Sequence, residues 1–176
     1  MPNFYIYLIS SLPMLQFGAK PPFSFEKFLQ MCEGLIPTSA INLLSQIQTL
    51  DIGKYKGDCV GTLKRWHAFE VALRNELVKI RASRKHKDPL KYMRGDSTDG
   101  PTLTHIALSA QRNPSPLEAE MVLDRERWQM LEEIATGHYF DLDFLIVYAQ
   151  KLLILERWEM INRADKIRFL EEALKG

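Results

Sequence analysis

Apolar residues recur every third or fourth position along most of this chain. Trp66, Phe69, Leu73, Leu77 and Ile80 step by 3, 4, 4 and 3, which puts them on one stripe of a helix predicted over residues 60–85. Ser24 reads as an N-cap with Glu26 in the first turn, opening a helix at Phe25 that ends near Gly34. Thr38 or Ser39 opens another, with Ile41, Leu44, Ile47 and Gln48 on one face. A short helix is expected over 103–111, closed by Asn113-Pro114. Ser115-Pro116-Leu117-Glu118 is a start signal in which Ser115 caps, Pro116 takes the first helical position and Glu118 closes a capping box. That helix runs to Gly137. Asp141 caps the last one, which meets no Gly or Pro before Leu174. At 1.5 Å per residue it would span about 50 Å, more than the roughly 40 Å width of a compact chain of this length. It therefore bends near Asn162, or the bundle is elongated.

Turn residues divide these helices. Gly18 to Phe23 is a loop, because Pro21 and Pro22 exclude a helix interior. Residues 51–58, with Gly53 and Gly57, form another. Lys87-Asp88-Pro89 stops or kinks the long helix, and the run from Arg94 to Pro101 is the most loop-like of all. Residues 4–12 are apolar but too short to span a bilayer, lack a basic leader and cleavage site, and are interrupted by Pro13. Residues 1–17 are read as a short buried helix. The expected organisation is one domain over 1–176: an N-terminal segment 1–23, a helical part 24–93, a loop 94–102 and a second helical part 103–176. The fold class is all-α, an elongated bundle of about six to seven helices, two of them long. Its expected core unites Trp66, Phe69, Leu73, Leu77, Trp128, Leu131, Phe144, Tyr148, Leu152 and Leu155.

Composition narrows the function classes. With 23 Lys and Arg against 22 Asp and Glu, the chain lacks the positive surplus of a protein that coats nucleic acid or an acidic membrane. Hydrophobic residues at 46% suffice for a core. Cys32 and Cys59 form no CxxC pair, which argues against structural zinc and fits a reducing compartment.

Motifs for chemistry are sparse. His67, His86, His105 and His138 include no i,i+4 pair and no HExxH. His67 and Glu70 share a helix face, in reverse order to the Glu-x-x-His of di-iron bundles. Gly53-Lys54-Tyr55-Lys56-Gly57-Asp58 lacks the GK[ST] ending of a phosphate loop. No catalytic, cofactor-binding or metal-ligating residue is assigned, and no cofactor is expected. One feature stands out: Lys79, Arg81, Arg84, Lys85, Lys87, Lys91 and Arg94 form a basic run broken only by Asp88. It reads either as a helix C-terminus that complements its own dipole or as a patch for an acidic protein or RNA. Glu70, Arg74 and Arg81 lie along one edge of the apolar stripe, and Glu120, Asp124 and Arg127 offer complementary charges for an internal ion-pair network. The candidate partner-binding residues are Arg74, Asn75, Arg81, Arg84, Lys85 and Lys87.

A resemblance extends over nearly the whole chain. The string from Tyr5 to Leu15 (YIYLISSLPML), with Phe17, Pro21-Pro22-Phe23-Ser24 and Phe28-Leu29, carries its most specific part. It continues in Phe69-Glu70, in Leu73-Arg74-Asn75-Glu76-Leu77 and in Arg81-Ala82. Asn113-Pro114, Glu118-Ala119-Glu120 and Arg127-Trp128 extend it, as do Gly137 to Leu142, Tyr148 and Leu155-Glu156-Arg157-Trp158. In these stretches the chain resembles a family of short bacterial proteins encoded among the subunits of V/A-type rotary ATPases. The family is thought to stand in for the longer, all-helical socket subunit that joins the central stalk to the membrane rotor ring. The resemblance implies a non-catalytic component, with stalk and rotor-ring subunits as partners. It also implies a cytoplasmic location, peripheral on the inner membrane through those partners. The alternative is a helical module that binds RNA or an acidic protein through the 79–94 surface.

Overall fold

The computed structural model describes residues 5–49, 60–95 and 101–175. Among them are seven α-helices and one short 3-10 helix, with no strand: α1 (Ile6–Ser11), α2 (Phe25–Cys32), α3 (Thr38–Ser45), α4 (Val60–Arg84), the 3-10 turn Pro89–Lys91, α5 (Pro101–Arg112), α6 (Pro116–Ala135) and α7 (Leu142–Lys175). The protein is all-α, and α4 and α7 are its longest helices, as the spacing predicts. The expected loop 51–58 lies outside the described residues. No helix among the described residues is long and apolar enough to cross a membrane.

The chain packs as two compact units, one made of residues 1–50 and 135–176, the other of 51–134. The unit boundaries fall at 50/51 and at the end of α6. Of the expected core residues, Phe144, Tyr148, Leu152 and Leu155 lie in the first unit, and Trp66, Phe69, Leu73, Leu77, Trp128 and Leu131 in the second.

In the first unit α2 and α3 pack against each other and against α7. Tyr148 on α7 is a hub. Its ring lies 5.4 Å from Phe28, 6.3 Å from Phe144 and 6.5 Å from Phe23, within the range for favourable aromatic pairs. Its hydroxyl donates to the Pro13 carbonyl at 3.0 Å, so the N-terminal segment is held by a residue 135 positions later. Tyr5 N–H donates to the Phe140 carbonyl at 2.6 Å. The helix expected within residues 1–17 is α1, but only one side of it is covered: Leu8 and Ile9 are buried while Ile6 and Tyr7 face solvent. On α3 the buried residues are Ala40, Leu43 and Leu44, with Ile41 half-buried; beyond the helix end Ile47 is buried and Gln48 exposed.

The helix starts follow the sequence signals. A helix leaves its first four N–H groups without internal partners. On α2, Lys27 N–H finds Ser24 Oγ at 3.1 Å, and Phe25 N–H finds Glu156 Oε1 of α7 at 2.8 Å. On α7, Phe144 N–H finds Asp141 Oδ1 at 3.0 Å. On α6, Ser115 Oγ accepts from Glu118 N–H at 3.3 Å. The expected capping box is altered, however: Ser115 N–H donates to Asn113 Oδ1 at 3.0 Å, and the upstream Asn takes the part assigned to Glu118.

The second unit is built on α4. Leu73, Ile106, Ala110 and Leu123 form its buried centre, with Phe69, Leu77, Leu103, Ala119 and Val122 packed around them. The predicted stripe on α4 is only half-buried outside Leu73, while Ala72, Asn75, Glu76 and Ala82 are buried as well. The reason is that α4 is covered from more than one direction, by α5 and by the turn at Pro89–Lys91, so burial spreads around the helix.

Candidate functional site

The last turns of α4 and the segment that follows build a cationic cleft in the second unit. Residues Arg74, Val78, Arg81, Ala82 and Lys85 stand at i, i+4, i+7, i+8 and i+11, a stripe that follows α4 to the residue just past its end, and line a cavity of about 380 Å³ with Lys87 and Tyr92. Eleven residues of helix extend it over roughly 16 Å. Val78 and Ala82 give it an aliphatic floor. Arg74, Arg81, Lys85 and Lys87 are exposed, and none makes an ion pair with a described residue. No carboxylate is among the described lining residues.

The opposite wall is produced by a sharp reversal. His86 adopts φ +50°, the left-handed conformation that ends many helices, and Lys87 N–H reaches back to the Ala82 carbonyl at 2.9 Å. Asp88 then accepts from Leu90 N–H at 3.0 Å to start the 3-10 turn. The returning chain is pinned by Asn75, whose Oδ1 accepts from Arg94 N–H at 3.0 Å and whose Nδ2 donates to the Arg94 carbonyl at 2.9 Å. Both bonds form on a side chain fully shielded from water.

The six candidate residues therefore divide. Arg74, Arg81, Lys85 and Lys87 come together in the cleft. Asn75 does not face a partner: it is buried and positions the wall. Arg84 lies in a second, wider cleft of about 590 Å³, with Ile80, Thr104, Leu108 and Arg112 around it. Successive helical residues are 100° apart, so a run that is continuous in sequence cannot form one surface. Lys79, also in the second cleft, is neutralised by Glu76 at 2.8 Å, and Glu76 accepts from Thr104 of α5 at 2.8 Å.

The expected ion-pair network forms with a smaller membership. Arg127 of α6 bonds Glu70 of α4 and Asp124 of its own helix, both at 2.8 Å. Asp124 is fully buried. Helical spacing places Arg74, Arg81 and Glu120 near this network, but all three are exposed. Val78, Ala82 and Tyr92 are the cleft residues that sequence reasoning missed. The first two are legible as i+4 and i+8 from Arg74, whereas Tyr92 reaches the cleft only through the chain reversal.

A second polar cluster lies at the start of α7. His138 Nδ1 stands 2.7 Å from Asp141 Oδ2 and 3.7 Å from Asp143 Oδ2, a grouping compact enough for a cation. Its observed bonds serve the helix start: Asp141 caps it, and both acids sit where the helix dipole favours negative charge and disfavours a metal. His67, by contrast, is exposed, and its neighbour Glu70 is committed to Arg127.

The described residues form an all-α fold, and four exposed cations line one cleft of its second unit. No family model matches the chain, and neither a curated protein nor a solved structure matches it.

Proposed function

We propose that this protein is a non-catalytic docking subunit that binds an acidic protein face through the Arg74–Arg81–Lys85–Lys87 cleft. In the setting implied by the resemblance, a V/A-type rotary ATPase, the partner is a central-stalk or rotor-ring subunit, and the chain takes a place like that of the helical socket between them. The observation that carries the reading is the cleft itself: four cations without ion-pair partners among the described residues, on a wall fixed by Asn75. Like charges held in proximity repel, and they are relieved by an opposite charge from outside. The described lining residues offer cations beside apolar side chains and no carboxylate, which suits an anion. A nucleic-acid reading is less favoured, because Tyr92 is the only aromatic among the described lining residues and a bound single strand stacks successive bases on several.

Reversing Arg74, Arg81, Lys85 and Lys87 to Glu should abolish recovery of stalk or rotor subunits in a pull-down. It should also leave the melting temperature nearly unchanged, since exposed charges contribute within about 0.5 kcal/mol. Raising salt should weaken the wild-type interaction, because exposed charges are screened beyond about 8–10 Å at physiological ionic strength. Undiminished recovery by the reversed variant overturns the reading. So does submicromolar binding of single-stranded RNA, with a log–log salt slope of about −0.7 per phosphate contact and no ATPase component recovered.

A further inference from the structure

We infer that the cleft is shaped for one kind of partner element, an acidic amphipathic helix laid along α4. This rests on the docking reading above and adds the conformation and patterning of what docks. The cleft is not uniformly charged. Its lining mixes four exposed cations with half-buried Val78, buried Ala82 and the exposed Tyr92, so apolar side chains stand among the charges. A purely electrostatic contact with a flexible acidic tail would leave that apolar track wet. An element with apolar residues on one side and acids flanking them covers both.

The dimensions point the same way. The stripe from Arg74 to Lys85 is about three helical turns long. A partner helix of three turns presents anchors at i, i+4 and i+7 to such a track, with Asp or Glu on either side of the seam, the usual helix-in-groove arrangement. Pairing by an extended strand has no template, because there is no sheet edge among the described residues. The site is also preformed. The wall carrying Lys87 and Tyr92 is fixed at one end by the Lys87–Ala82 backbone bond and at the other by the Asn75 clamp on Arg94. A fixed wall reduces the ordering cost of binding, and it rewards an equally regular partner.

The test uses the full chain and two synthetic peptides of identical composition, rich in Glu and Leu. In one, Leu residues occupy i, i+4 and i+7 with Glu flanking; in the other the order is scrambled. Fluorescence anisotropy should give at least a tenfold tighter Kd for the ordered peptide, with a gain in helical circular dichroism on binding. Val78→Gln, which makes the track polar without altering charge, should bring the ordered-peptide Kd to within about twofold of the scrambled one, and a tenfold preference retained in this variant overturns the inference. Equal affinity for the two peptides overturns the helix inference and leaves acidic docking standing. Failure of both peptides to bind, together with tight binding of single-stranded RNA, overturns the inference and the docking reading together.

Discussion

The two units use their polar side chains in opposite ways. In the first unit they tie distant parts of the chain to one helix: Tyr148 holds the Pro13 carbonyl, Glu156 holds the start of α2, and the Tyr5 N–H holds the loop before α7. In the second unit an interior ion-pair network coexists with exposed cations, the four of the cleft among them, that make no ion pair with a described residue. The first unit closes on itself through long-range bonds. The second gathers four cations in one cleft, with no carboxylate among its described lining residues. A bundle that only had to fold would gain by placing acids beside those cations, as Glu76 sits beside Lys79 on the same helix. On the docking proposal, binding falls to the second unit and scaffolding to the first.

The contrast is tested most strongly in the two interiors. Phe28 is fully buried, with its ring 5.4 Å from that of Tyr148 and 6.2 Å from that of Phe25. Phe28→Ala should cost about 3–5 kcal/mol in denaturant unfolding. Leu73→Ala, also at full burial, should cost about 2–5 kcal/mol. Phe69, on the same stripe but half-buried and stacked on Trp66 at 5.8 Å, should lose less on truncation than either. A Phe28→Ala cost below about 1 kcal/mol would remove the aromatic hub from the account of the first unit.

The next effect separates the two kinds of charge in the second unit. Asp124 is buried and paired with Arg127, so Asp124→Asn removes an acid on which a half-buried guanidinium depends. Breaking a buried pair from one side costs about 3–5 kcal/mol, and the lower end applies here because Arg127 keeps Glu70. Neutralising Lys85 with Gln should change stability by less than about 0.5 kcal/mol. Equal losses from the two substitutions would show that the cleft cations are structural and would erase the distinction between the units' polar groups.

Local signals carry most of the fold. Ser24, Ser115 and Asp141 each accept from a backbone N–H three residues on, and α4, α6 and α7 end within a residue or two of where Gly, Pro and cap chemistry place them. What a local pattern does not disclose is which partners arrive from far away. Periodicity places residue 75 at an angle on α4 but does not say that Arg94 returns to cover it. For the same reason the pattern presents Asn75 as a contact residue when it is a clamp, and gives no sign of Tyr92 at all. The stretches that carry the family resemblance include Tyr5, Pro13, Glu70, Asn75, Arg127, Tyr148 and Glu156, which are long-range tie points of the structure. Those stretches mark where the chain is fastened. The cleft is different: what marks it is cations without an ion pair among the described residues, and a sequence pattern does not report that.

The smallest expected effect is silent at neutral pH and concerns how dry the first unit is. Cys32 on α2 is fully buried, and burial pushes its thiol from an ordinary value of 9.0 up to about 11. The Tyr148 hydroxyl in the same unit is raised by the same cause. Desolvation penalises the charged form, so the folded protein holds the Cys32 proton longer than the unfolded chain does. Below pH 9 both states keep the proton and stability is unaffected. Between about 9 and 11 the unfolded thiol ionises first, and stability should fall by up to about 1.4 kcal/mol per pH unit. With Cys59→Ser removing the second thiol, alkylation of Cys32 at about pH 8 should run about a hundredfold or more slower in the folded protein than in urea, because the thiolate is the nucleophile. Labelling at the rate of a free thiol would mean that water reaches the interior around α2. The first unit would then be as open as the cleft of the second.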